Sequence, residues 1–141
     1  MHNCIGYGLQ AITAECMTLG VKAGVEPMSL WRVLRDGGTG QGVMFHRVLP
    51  DIVFRGHFDP PHFALRLAFK DVSLATSLGR ELDVPMALAN LTLQEMMTAM
   101  NRGWGDKDSR IAMVLQEERA GGIELRIPAA QLDDEEAKRN K

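Results

Sequence analysis

Apolar side chains recur along the first part of the chain at alternating steps of four and three: Ile5, Leu9, Ile12, Cys16, Leu19 and Ala23. That spacing predicts an amphipathic helix from the start of the chain to about residue 23, ended by Gly24 and Pro27. Gly6 and Gly8 weaken its beginning by roughly 1 kcal/mol each relative to Ala, which points either to close approach of another backbone or ligand or to tight helix packing. A second helix is expected from Pro27 to about Asp36, with Leu30, Val33 and Leu34 turned inward and Gly37 and Gly38 ending it. A short helix is expected over residues 43–50.

The next major helix is expected from about Pro61 to Asp83. On a 100° wheel Phe63, Leu67, Leu74 and Leu78 share one stripe, predicted to be buried, and Lys70 falls on it. A lysine there either extends to water or points into a cleft where its charge has a partner, because burying an unpaired ammonium is prohibitive. Asp71 is its neighbour, but adjacent helical residues do not face each other. Met86, Ala89, Leu93, Met96, Met97 and Met100 mark a helix to about Arg102, whose methionines suit a plastic core or a subunit contact. In the turn "RGWGDKDS", Asp108 or Ser109 can cap a last helix to about Ala120. Helices without intervening strand signals imply an all-α domain of about five main helices, with a long first helix, over residues 1–120. The remainder, 121–141, ends in "DDEEAKRNK" and is expected to be a flexible, charged, solvated tail, with "IELRIP" as a brief strand or a packed arm.

Composition narrows the function. In 141 residues, 45% apolar and 24% charged, the balance is that of an ordinary globular domain, and a net charge of −2 gives no basic footprint for nucleic acid. No stretch reaches the ~18 apolar residues of a membrane span, and no basic leader opens the chain. Cys4 and Cys16 would lie about 18 Å apart on a helix, too far for a disulfide, which fits reduced thiols in the cytoplasm. "GGTGQG" fits neither nucleotide-binding fingerprint and follows a helix, so a flexible loop near a site is the expectation. His57, Asp59 and His62 are irregularly spaced among prolines, and no metal site is expected there.

"HNCIGYGLQAITAE", "FALRLAFKDVSLA" and "GDKDS" together resemble the C-terminal helical domain of the β-hydroxyacid dehydrogenases, a family that includes 3-hydroxyisobutyrate, tartronate semialdehyde and 6-phosphogluconate enzymes. The resemblance covers roughly residues 1–120. It implies a fold like the 6-phosphogluconate dehydrogenase C-terminal domain and a role as the substrate-binding and dimerisation domain of an NAD- or NADP-dependent oxidoreductase acting on a small hydroxy acid. Asn3 matches the last residue of the family's K-x-x-[HN]-N motif and His2 the one before it, which implies that both contact substrate. Lys70 would reach the nicotinamide end of the cofactor.

The motif's lysine is the family's general acid/base, and counting back four from Asn3 puts it two residues before Met1. The resemblance therefore implies a chain separated from its Rossmann domain, inactive alone, forming a homo-oligomer and able to pair with a separate Rossmann-domain polypeptide. The alternative is a non-enzymatic helical oligomerisation module derived from the same family.

Overall fold

The computed structural model describes residues 1–37 and 40–139, the last without its side chain. Gly38 and Thr39 of the "GGTGQG" stretch, and residues 140–141 of the tail, lie outside the described residues. The chain is all-α. Its elements are α1 (His2–Lys22), α2 (Pro27–Asp36), a π-helix (Met44–Val53), α3 (Leu65–Glu81), α4 (Ala87–Asn101), a 3-10 turn (Ser109–Ala112), α5 (Met113–Arg119) and α6 (Ala129–Arg139). Among the described residues the only β-pairing is one isolated bridge, Ala64 with Asp108.

Local chemistry explains several boundaries. Pro27 opens α2, where its missing N–H costs nothing, and the Glu26 carboxylate accepts from Met28 N at 3.0 Å and Ser29 N at 2.7 Å. Asp108 caps the 3-10 turn by accepting from Arg110 N at 3.0 Å.

The helical periods are as expected, but their phase is not. On α1 the buried residues are Tyr7, Gln10, Thr13, Ala14, Met17 and Thr18, whereas Ile5, Ile12 and Leu19 are 76%, 50% and 71% exposed. On α3 the buried face is Leu65, Ala68, Val72, Ala75, Thr76 and Gly79; of the expected stripe, Leu67, Leu74 and Leu78 are exposed and Phe63 is half-buried. On α2 Val33 faces outward while Met28, Trp31 and Arg35 are buried.

The reason is close packing. Small and hydroxylated residues let helices approach, and a threonine can satisfy its own hydroxyl: Thr13 donates to Leu9 O at 2.7 Å and Thr18 to Ala14 O at 2.8 Å. A Cβ at Gly79 would stand 2.5 Å from Met86 Cγ, so the α3–α4 approach requires glycine there. At Gly6 a Cβ would meet nothing within 4 Å, and at Gly8 only Thr92 Oγ1 at 4.0 Å, so neither marks a tight approach within this chain.

Two apolar clusters form. One joins Ala14 and Met17 of α1 to Trp31, Leu49, Val53 and Phe54, and closes with Leu125, Ile127 and Leu132. The other joins Tyr7 of α1 to Leu65, Ala68, Val72, Met96, Ala99, Ile111 and Leu115. Trp31 centres the first cluster, donating Nε1 to Phe45 O at 2.8 Å and meeting Phe54 edge-on.

The segment expected to be a solvated tail is instead structural over residues 121–139. Leu125 is fully buried, and 123–128 packs as an arm without strand pairing. Its polar groups find partners: Ile127 N donates to Phe54 O, Arg126 reaches Val53 O and the buried Glu117 carboxylate, and Leu125 N donates to Glu117. Charge density hid this, because Glu135 on α6 is not solvated. It accepts from Arg32 at 2.5 and 2.9 Å and from the buried Arg35 at 3.0 Å. Leu125 and Ile127 of the arm and Leu132 of α6 are buried in the Trp31 cluster.

The hydrogen bonds from Arg32, and then Arg35, hold the Glu135 carboxyl below the usual glutamate range. A lowered folded value gives stability that is present above the unfolded glutamate value of about 4.3 and is lost as pH falls through the folded one. Glu135→Gln is expected to cost about 1.5–3 kcal/mol in urea unfolding at pH 7. The gap to the parent protein should close below about pH 4.

Candidate functional site

The N-terminal turn of α1 meets the second turn of α3. Asn3 donates Nδ2 to Asp71 Oδ2 at 2.7 Å, and Lys70 Nζ lies 2.9 Å from Asp71 Oδ1. Asn3 and Lys70, far apart in sequence, are thus the two neighbours of one carboxylate. Lys70 is 61% exposed at its side chain and Asp71 26%. The pair is solvent-screened, so its consequence is geometric rather than stabilising. Lys70 snorkels along the outer face of α3, the outward one of its two predicted courses. His2, also predicted, is exposed and joins none of these bonds.

Asp71 is the residue that sequence reasoning missed. The rule that adjacent helical residues do not face each other was applied to it, but a four-carbon stem lets the Lys70 ammonium fold back onto its neighbour. The hydrogen bond from Lys70 and then that from Asn3 hold the Asp71 carboxyl below the ordinary aspartate range. It is therefore an acceptor with no proton to give near neutral pH.

One turn further along α1, on the face of Asn3, Tyr7 is buried and donates its hydroxyl to Ser109 Oγ at 3.1 Å. Gln10 donates to Ser109 O at 3.2 Å. The next residue down, Asp108, is wholly buried and accepts from His62 N at 2.9 Å and Phe63 N at 3.3 Å as well as from Arg110 N. Leu65 N and Arg66 N donate to Lys107 O and Gly105 O. The "GDKDS" turn thus fixes the start of α3 to α1, and with it the distance from Asn3 to Asp71.

Among the described residues no three His, Cys, Asp or Glu side chains come together as a metal site, and His57 and His62 are exposed. No helix among them is long and apolar enough to cross a membrane. Cys4 and Cys16 are free thiols.

The described residues form an all-α domain in which α1 and α3 meet at Asn3 and Asp71. Residues 1–115 match the family described as NAD-binding of NADP-dependent 3-hydroxyisobutyrate dehydrogenase, and the chain belongs to that family. L-threonate dehydrogenase of Escherichia coli strain K12 is 29% identical over 108 residues, which make up 77% of this chain and 35% of that protein. 2-(Hydroxymethyl)glutarate dehydrogenase of Eubacterium barkeri is 26% identical over 111 residues, 79% of this chain and 36% of that protein. The crystal structure of 3-hydroxyisobutyrate dehydrogenase from Salmonella typhimurium superposes with a TM-score of 0.71 at 25% identity, over 81% of this chain and 39% of that one. The chain thus spans little more than a third of the proteins it resembles.

Burial pushes the Tyr7 phenol above the ordinary tyrosine value, against the opposing bond to Ser109 and charge of Arg110. Tyr7 is the one tyrosine in the sequence, so absorbance near 295 nm reads it alone. Alkaline titration is expected to ionise it above about pH 10 in the folded protein and near 10 in urea. Because the folded value is the higher, stability should fall as pH climbs through the unfolded value.

Proposed function

We propose that this chain is the substrate-binding and dimerisation domain of an NAD(P)-dependent β-hydroxyacid dehydrogenase, working with a separate or adjoining Rossmann-type nucleotide-binding unit and inactive without it. The observation that carries the reading is the shared carboxylate between Asn3 and Lys70, in a chain of the 3-hydroxyisobutyrate dehydrogenase family. A cytoplasmic location accords with the free thiols.

The residues fit only one end of a dinucleotide. Lys70 keeps two N–H donors after its bond to Asp71, enough for the carboxamide oxygen of a nicotinamide. The sequence has no G-x-G-x-x-G, and the described residues form no strand to carry one, so another unit must hold the diphosphate. When bound, the nicotinamide accepts or delivers the hydride.

What the chain's own residues contribute is position. Asn3 orients the reacting hydroxyl without changing protonation state, and His2 stands one residue away to contact the same substrate. The test is to mix the chain with nucleotide-binding units of the family and follow absorbance at 340 nm with 3-hydroxyisobutyrate, L-threonate and 2-(hydroxymethyl)glutarate. NAD(P)-dependent turnover that needs both components, and that falls by about 10²-fold in Asn3→Ala through lost orientation, is the expected result. No turnover in any pairing would sink the reading.

A second reading, a helical assembly module without chemistry, is favoured by the exposed apolar faces. Ile5, Ile12 and Leu19 fall at steps of seven on the outside of α1, and Leu67, Leu74 and Leu78 on the outside of α3. Contiguous exposed apolar surface of this kind marks a binding face. Both readings expect a homodimer or larger, so sedimentation should show association, weakened when Ile12→Arg places a charge on the α1 stripe. A monomer at every concentration would count against dimerisation in either.

A further inference from the structure

An asparagine amide has two unlike ends, and which end faces a ligand decides what it can bind. Here the choice is made by a neighbour. Asp71 is ionised and can only accept, so it must face the Nδ2 end of Asn3, and the 2.7 Å bond has that polarity. Turning the amide over would break that bond and set two oxygens against each other. The second carboxylate oxygen is engaged by Lys70 at 2.9 Å, so the carboxylate itself is held against rotation.

We propose that Asp71 is a positioning residue that locks the Asn3 amide with its carbonyl Oδ1 outward, so that this end of α1 recognises a hydroxyl donor on the substrate and discriminates against molecules lacking one. The proposal rests on the dehydrogenase reading for the identity of the bound molecule, but not for the geometry. Oδ1 keeps both lone pairs for an incoming O–H, and the remaining Nδ2 hydrogen is left for an oxygen beside it. Lys70, across the carboxylate, offers donors only. The pair therefore presents an acceptor and a cation on either side of Asp71, which suits a hydroxyl and an oxygen acceptor held by different residues.

The experiment is NMR of the Asn3 side-chain amide in the 141-residue chain, assigned with Asn3→Gln and followed by pH and by ligand. A carboxylate-bound Nδ2 proton should move when Asp71 titrates, with a midpoint below the ordinary aspartate value of about 3.9. Asp71→Asn, which can face Asn3 with either amide end, and Asp71→Ala should both abolish that transition while far-UV circular dichroism shows the helices intact. A transition that survives in either variant, or none in the parent chain, overturns the proposal. In the ligand arm, 3-hydroxyisobutyrate should shift the Asn3 amide with an affinity about tenfold or more above isobutyrate, because a site built for a hydroxyl leaves a polar group unpaired without it. Asp71→Asn should reduce that ratio severalfold, and equal affinities in the parent chain would overturn the hydroxyl assignment. Failure of turnover with every nucleotide-binding unit bears on the dehydrogenase reading alone, since the amide titration needs no cofactor.

Discussion

One buried carboxylate organises the end of the molecule where α1 meets α3. Asp108 is removed from water and takes its hydrogen bonds from the backbone N–H groups of His62, Phe63 and Arg110. A buried charge is tolerable only when so satisfied, and each of those donors would in turn be orphaned without it. The turn on which it sits binds the beginning of α3 on one side and, through Ser109, Tyr7 and Gln10 of α1 on the other. Asn3 and Asp71 stand together because two helices with no direct covalent relation are both fastened to this knot. The pairing of Asn3, Asp71 and Lys70 is a consequence of Asp108 more than of any attraction among the three, whose exposed charges are screened.

How much of this was legible in the sequence depends on the length scale of the signal. Helix positions followed from period and from punctuation by Pro and Gly, and the cap at Asp108 from the preference of acidic residues for helix starts. The inward faces did not follow. On α1 and α3 several large aliphatic residues point out while small or hydroxylated ones such as Thr13, Ala14, Thr18, Ala68, Ala75 and Thr76 are buried, because interhelical approach in a small domain is limited by side-chain bulk. A wheel weighted by hydropathy alone picks the wrong side whenever the larger apolar residues of a helix are left exposed. That same inversion leaves Ile5, Ile12 and Leu19 outside, which a sequence wheel reads as core.

The site was half legible. Asn3 and Lys70 could be named from a resemblance, but Asp71, which relates them, could not. Its role depends on a tertiary contact across 68 positions and on a lysine rotamer, neither of which has a local signature. The C-terminal segment failed for a different reason. Mixed charge resembles disorder until the partners are known, and the partners of Glu135 are Arg32 and Arg35, about a hundred residues away. Residues 116–141 also lie beyond the family match, so resemblance offered no correction.

Helix α1 passes through both apolar clusters and carries Asn3 at its first turn. At 1.5 Å per residue its 21 residues measure about 31 Å, long enough to tie the two clusters together. From Asn3 to Met17 the arm is about 21 Å, so a tilt of about 5° about Met17 would sweep Asn3 through about 1.8 Å. Leu125, Ile127 and Leu132 close that remote cluster, so the C-terminal arm helps to seat the helix that carries Asn3.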